Sequence, residues 1–576
     1  MPRPYEIFPR ESDVCLSAQG LSSGTEFTAD SLLSRCADVI LTHGLGTIFG
    51  RWVGRNGCPL VNEPTSNISI PPIKLFSALD SYVDEHLPHS HSPMPSAVSG
   101  STTANPLQQQ EYRDKQVDGC LRSAIYAYTA RWLPLFAKTE RSIESPIEQC
   151  DEISKACWRT ARKDMLKVIN RPCYRSVLAL YLFGQTPVPV GIPQEEELDG
   201  LNGVVCSQTA LLHVQQLRER LRCCQFNGSE VSAWSDAAVR TATTTIAMSD
   251  ITTGTTTTAS FSPDLTEEYL NLESRAYWAA VTWDTSDSMT LNFRSTLSSG
   301  LKGACSEPVW QLSRAFLVGS FHDRAEDWRR KGFRVSDDVA PQITSATSVC
   351  TIYTWRNIAS LKEALREGVE EATVQAVWKA FLDAIDIFRT TIHPILANCE
   401  RQLHFLGQVD RFNWYEIVLL YYLGILILVD VLEAAHRADL LHELAQTSLE
   451  ADHECFNVLK FGLESSYTIG SAVRRSAIDG ELSDATDESS SLAVSFVAID
   501  PYPHHVIAAV RLMDKAFSRQ YLQGSIKRET YVHLSSTLRK ALDQLPQNSK
   551  AVQSAKIILQ ASLLTEEPTG HGYPCQ

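Results

Sequence analysis

Between Glu416 and Asp430 lie thirteen residues, IVLLYYLGILILV, with no charge. The run falls short of the ~20 apolar residues needed to cross a bilayer as a helix. It is expected to be a buried helix that other apolar faces surround on every side. The chain supplies such faces at helical spacing. Trp355, Ile358, Leu361 and Leu365 make one stripe, and Val374, Val377, Phe381, Ile385, Phe388 and Ile392 make another. Ala210, Val214, Leu217, Leu221 and Cys224 step by four, three, four and three, which predicts an amphipathic helix over 208–226. Further stripes fall at Leu32, Cys36, Ile40 and His43, and at Leu75, Leu79, Tyr82 and Val83 just after Pro71-Pro72, a pair suited to a helix start. No period of 20 to 50 residues accompanies them, so a regular solenoid is not expected. The fold class is all-α, an irregular multi-helix bundle with long disordered loops.

Polar and low-complexity tracts divide the chain. Residues 1–240 form an N-terminal helical half, in which the Pro, Ser, Thr, His and Gln of 88–110 predict disorder. The Thr-rich stretch 241–262 is a linker. Residues 263–470 form the C-terminal helical half, 471–495 an acidic, Ser-rich loop, and 496–576 the last helices, resuming near Val506. His393 before Pro394 marks a helix bend.

The 576 residues carry 67 acidic and 52 basic side chains, a formal charge of −15. Such a surface repels nucleic-acid phosphates unless a basic patch is segregated. The densest basic clusters, Arg329-Arg330-Lys331 and Lys527-Arg528, read as solvated faces. The first twenty residues show no apolar core of a secretory signal, so the protein is expected to stay inside the cell and off the membrane. Fifteen cysteines with no C-x2-C pair fit buried core thiols in a reducing compartment. Cys150 and Cys157 lack further ligands nearby, so no structural zinc is expected.

Candidate chemistry is sparse. Gly44, Gly46 and Gly50 have the wrong spacing for a phosphate cradle and sit in a helical stripe, where small residues admit a neighbouring helix. Asp337-Asp338 lacks the third carboxylate of a magnesium–diphosphate site and reads as solvated loop. His504-His505 and His89/His91 are expected at the surface, and His43 in the core. No nucleophile elbow, H-E-x-x-H pair or P-loop occurs. No catalytic, cofactor-binding or metal-binding residue is therefore assigned, and the chain is not expected to be an enzyme.

Four stretches carry a resemblance. The first is 31–61, a helix leading to the turn Asn56-Gly57-Cys58-Pro59-Leu60. The second is 156–183, with A-C-W-R-T-A-R followed by an apolar helix. The third, YWAAVTWDTSDS at 277–288, places Trp283, Asp284, Thr285 and Ser288 in a W-D-T-x-x-S pattern. The fourth runs from 345 to 432 and beyond, with Trp414-Tyr415 and Asp430-Val431-Leu432-Glu433. Together they cover about 60% of the chain. This chain resembles the regulatory middle region of fungal transcription factors of the zinc binuclear cluster class, most closely the ethanol-regulon activator type.

The resemblance implies an all-α regulatory domain of a nuclear transcriptional regulator. Its candidate partners are other transcription factors or co-regulators, a second copy of itself, and a small-molecule inducer. Asp284 and Ser288, one turn apart, are expected to latch neighbouring loop or backbone groups. The aromatic-rich segments 278–283 and 414–422 would line an inducer pocket, against the plainer expectation that they fill the core. The two C-x2-C-x6-C halves that hold zinc in such factors are absent from these residues. Direct DNA reading is therefore not expected: either an upstream exon encodes the cluster, or the protein acts through partners. A helical scaffold or adaptor, and then an all-α enzyme, are the alternative readings.

Overall fold

Apolar residues spaced by three and four turn into helix along nearly the whole chain. The computed structural model describes residues 23–54, 56–61, 70–86, 106–137, 147–223, 266–291, 293–297, 307–469 and 492–565. Helix α1 (Ser23–Val39) passes through a π turn (Ile40–Leu45) into α2 (Gly46–Val53). Then come α3 (Pro72–His86), α4 (Pro106–Thr129), α5 (Leu133–Ala137), α6 (Ile147–Val168), α7 (Tyr174–Gly184), α8 (Gln194–Leu198) and α9 (Gly203–Cys223). The next group is α10 (Glu267–Thr290), α11 (Pro308–Val318), α12 (Ser320–Arg324), α13 (Ala340–Glu367), α14 (Glu371–Ile387) and α15 (His393–Glu400). The last helices are α16 (Gln408–Ala434), α17 (Ala438–Glu464), α18 (Phe496–Ile499), α19 (Pro503–Leu522), α20 (Arg528–Gln544) and α21 (Lys550–Thr565).

The all-α class holds, with two corrections at segment edges. The tract 88–110, expected to be disordered, ends in helix: its last five residues open α4, where good helix formers and a Lys115–Glu111 pair at i, i+4 and 2.8 Å support the first turns. The loop expected over 471–495 ends in a strand. Leu492–Ser495 (β2) pairs antiparallel with Ser466–Ile469 (β1), Tyr467 opposite Val494, and both of these side chains are buried. The Thr-rich stretch 241–262 and the rest of the acidic loop lie outside the described residues. Chain 496–499 is already helical, earlier than Val506. At Pro394 the missing N–H and the ring are accommodated by a π turn, Phe388–Ile392, so α14 runs into α15 through a widened turn.

Helix α16 lies at the centre, and every residue from Phe412 to Val429 is buried. It is long and apolar enough to cross a membrane by length and composition, but 78% of its most apolar window is covered by the fold. Helices α13 and α17 cover it most extensively, and α19 packs along it. Two close approaches set the spacing. Trp355 of α13 lies over Gly424, where an added Cβ would stand 2.5 Å from its Nε1, and that Nε1 donates to Leu420 O at 2.8 Å. Tyr415 lies likewise over Gly462 of α17.

Helix α13 is buried although rich in Ser and Thr. Its hydroxyls donate back to their own helix, Thr347 to Ile343 O (2.8 Å), Thr354 to Cys350 O (2.9 Å) and Ser360 to Arg356 O (3.0 Å). Short side chains with hydroxyls satisfied inside the helix let neighbours approach closely, although Thr351 Oγ1 and the Arg356 guanidinium are buried without a hydrogen-bond partner among the described residues.

Side chains from distant segments cap helix ends. Asp80 of α3 accepts the N–H groups of Tyr174 (2.7 Å) and Arg175 (2.8 Å) that open α7. Arg275 and Trp278 of α10 donate to Val53 O (2.6 Å) and Trp52 O (3.0 Å), closing the end of α2. The segment joining α18 to α19 is held from the N-terminal half: Trp132 donates to Ala498 O (2.8 Å), and Tyr128 and Arg131 to Pro501 O (2.7 and 3.0 Å).

Candidate functional site

Two helices that carry the resemblance, α10 and α16, end side by side on one groove of about 790 Å³. Ile427, Val431, Ala434 and Ala435 line it from α16 at the i, i+4, i+7, i+8 spacing of one helix face. Leu365 on α13, Leu512 on α19 and Leu559 on α21 add aliphatic surface. Ile558, 49% exposed, carries that surface out towards solvent.

Charge rims this apolar surface on both sides. Lys362 and Arg366 of α13 stand one turn apart, as do Arg511 and Lys515 of α19. Lys362 Nζ donates to Ser288 O (3.0 Å) and Met289 O (2.9 Å), the carbonyls that end α10, where the helix dipole favours a cation. Burial, and then the charge of Arg366, push its pKa down to about 8. Lys515 is held by Asp430 (2.6 Å) and Glu433 (2.9 Å), and Glu433 also pairs with Arg519. Asp514 accepts from Ser562 Oγ at 3.0 Å, which ties α21 to α19. Arg511 has no ion-pair partner among the described residues.

A second polar cluster is sealed inside the fold. Asp500 accepts from Tyr502 N (2.7 Å) and Tyr415 Oη (3.2 Å), and the carboxyl of Glu416 lies against it without a well-aligned hydrogen bond of its own. Burial raises Asp500 to about 6, and burial together with the charge of Asp500 holds Glu416 well above the usual carboxylate range. Asp287 is pushed up to about 7 by burial and by Asp284. Burial lowers His504 to about 3 and His505 well below the usual imidazole range. His505 shares a hydrogen bond with Ser286 Oγ at 3.1 Å and meets Trp355 edge-on. The surface placement expected for His504-His505 is therefore overturned for His505, which is buried where α19 meets α10 and α13, while His504 is half-buried beside it. In this cluster Arg131 is the buried cation, lying 4.1 Å over Trp132 and 4.3 Å over Tyr128.

The other sequence candidates fall as follows. The aromatic segments fill the core. Trp283 stacks on Tyr181 at 3.6 Å, Tyr421 stacks on Phe388 at 3.5 Å, Trp414 meets Phe461 edge-on, and none of them lines the groove. Asp284 is a latch, accepting from Ser295 Oγ, Thr296 N (2.8 Å) and Leu297 N (3.0 Å) to fold the chain back after α10. Ser288 takes a backbone group instead: its hydroxyl donates to Asp284 O within the helix, at 2.8 Å. His43 is half-buried and bonded to Tyr467 Oη at 3.2 Å. Gly44 lies on a helix, 3.3 Å from Ile499 O if given a Cβ, so it serves close packing. Asp337 and Asp338 are exposed in the turn before α13. Arg330 is 69% exposed with Glu326 and Asp327, and Lys527 and Arg528 are exposed. Among the described residues ten cysteines between Cys36 and Cys455 are unbridged, and all of these but Cys173 are buried. Among the described residues no three His, Cys, Asp or Glu side chains converge as a metal site.

Sequence reasoning missed the groove. Its cations lie some 145 positions apart in the chain, and only the paired i, i+4 spacing on two helices hinted at them. No family model, curated protein or solved structure matches this chain.

Proposed function

We propose that this chain is a transcriptional regulator of the fungal zinc-cluster class that works in the nucleus through its helical domain, by contact with partners. One observation carries the reading: the two helices with the most specific resemblance, α10 with W-D-T-x-x-S and α16 with D-V-L-E, both end on the same groove. A motif that only stabilised a core would have no reason to bring Asp430 and Val431 to an open surface. Asp430 and Glu433 position Lys515 on the groove's rim, and Val431 supplies its floor. An open apolar surface of this kind is a recognition surface.

The test is a tethered reporter. The full chain fused to a heterologous sequence-specific DNA-binding domain should change transcription several-fold in a fungal host, and Val431→Asp in the groove should remove that change. Reporter output equal to that of the DNA-binding domain alone, with the fusion stably expressed, would refute the proposal.

A further inference from the structure

We infer that Glu416 and Asp500 form a proton-held clasp that fastens the start of α19 to the central helix, and that loss of the shared proton releases it. The clasp holds whatever the chain binds.

The contacts leave Glu416 one way to be buried. It is 0% exposed on α16, and neither of its carboxyl oxygens receives a hydrogen bond among the described residues. An ionised carboxylate is not held in such a place without donors or a cation, so the side chain keeps its proton. Asp500 lies against it, 1% exposed, and has donors of its own in Tyr502 N and Tyr415 Oη. The pair is therefore one carboxylic acid beside one carboxylate, because two carboxyls in contact inside a fold do not both ionise. Arg131, the nearby cation, gives Nη1 and Nη2 to Gln185 O (3.2 Å) and Pro501 O (3.0 Å). Its charge favours the carboxylate at Asp500 and leaves the proton on Glu416.

Position makes the pair a clasp. Asp500 opens the short connector between α18 and α19, where Pro501 and Pro503 have no N–H to donate. Side chains hold the connector instead: Trp132, Tyr128 and Arg131 on the carbonyls of Ala498 and Pro501, and Tyr415 and Glu416 on Asp500. Without the proton, two buried negative charges face each other across this contact. Glu416 is fixed in the middle of α16, so the connector is the side that gives way. Helix α19 is also one wall of the groove, and only that consequence rests on the groove as the working surface.

Most neighbours stay in one charge state between pH 6 and pH 8. Burial pushes Tyr128 up to about 12, holds Tyr415, Tyr502 and Tyr181 of α7 well above the usual phenol range, and raises Cys455 of α17. It keeps His504 and His505 neutral by lowering both. Asp287 is the exception, raised to about 7, and it meets Gln185 Nε2 at 3.5 Å.

Amide hydrogen exchange of the full chain, read by mass spectrometry at pH 6 and pH 8 and normalised for intrinsic rates, tests the clasp. Protection of 498–510 should fall at least tenfold at pH 8, within the limit of about tenfold per pH unit that one proton sets. Helix α7 and residues 412–429 of α16 should keep theirs. Glu416→Gln, which donates at every pH and cannot ionise, should hold 498–510 protected at both pH values, and Asp287→Asn should leave the fall in place. Equal protection of the unaltered chain at the two pH values would overturn the inference, whether or not the variants fold. So would a fall that survives Glu416→Gln, one abolished by Asp287→Asn, or a loss spread evenly over the chain. The pH-dependent fall alongside a silent reporter would refute the regulatory reading and leave the clasp standing; an active reporter with constant protection would do the reverse.

Discussion

The W-D-T-x-x-S motif divides its work unequally between two residues that the sequence treats alike. The Asp284 carboxylate accepts three hydrogen bonds from the loop after α10, whereas the Ser288 hydroxyl bonds only its own helix. Asp284→Ala should cost about 2–4 kcal/mol, because it leaves buried donors unmade, and Ser288→Ala less than ~1 kcal/mol; urea denaturation compares them, and equal costs would contradict the latch. The buried carboxyls make a second prediction. Glu416 and Asp500 bind protons more tightly folded than unfolded, so the stability they leave intact below about pH 4 is lost as pH rises through about 6 for Asp500 and higher for Glu416. His504 and His505, lowered by burial, have the opposite sign and cost stability as pH falls below the ordinary imidazole range. Glu416→Gln should therefore gain stability relative to the parent from pH 5 to pH 8, by up to about 1.4 kcal/mol per pH unit. A difference that stays constant between the two pH values would sink the assignment.

Helix ends and helix crossings show how elements are fixed. Helix α13 stops at Gly368, whose φ of 62° lies in the left-handed region, with its N–H on the last carbonyls. Open space surrounds its Cα, so Gly368→Ala should cost only the backbone term, about 1 kcal/mol, and Gly368→Asn less. At the crossing of α13 and α16 the constraint is steric: Gly424→Ala should push Trp355 off Leu420 O and cost roughly 1–3 kcal/mol of overpacking. Thermal melts of the two variants separate strain from crowding, since Trp355→Phe should partly rescue Gly424→Ala and leave Gly368→Ala unchanged. The Ser- and Thr-rich sequence of α13 made its burial hard to read, because satisfaction of those hydroxyls depends on i−4 carbonyls that exist only once the helix has formed.

At the scale of the molecule, one apolar cluster runs from Leu32 to Leu559. Residues more than 360 positions apart close it, as Trp132 does on Ala498 and Tyr128 on Pro501. Deleting 496–576 should therefore leave the remaining chain without fixed packing, with near-ultraviolet circular dichroism lost and hydrophobic dye binding gained. A truncated chain that keeps a cooperative melt would show that the halves fold independently.

Helical character, the course of the apolar stripes and the central place of the uncharged stretch at 417–429 were all legible in the order of residues. Those are local properties, written in the three-and-four spacing of side chains that must leave water. Packing alone settled that His505 is buried, that the aromatic segments fill the core, and that Lys362, Arg366, Arg511 and Lys515 share one groove. Burial and electrostatic neighbourhood depend on what packs against an element, and for these residues the packing partners come from segments far away in the chain.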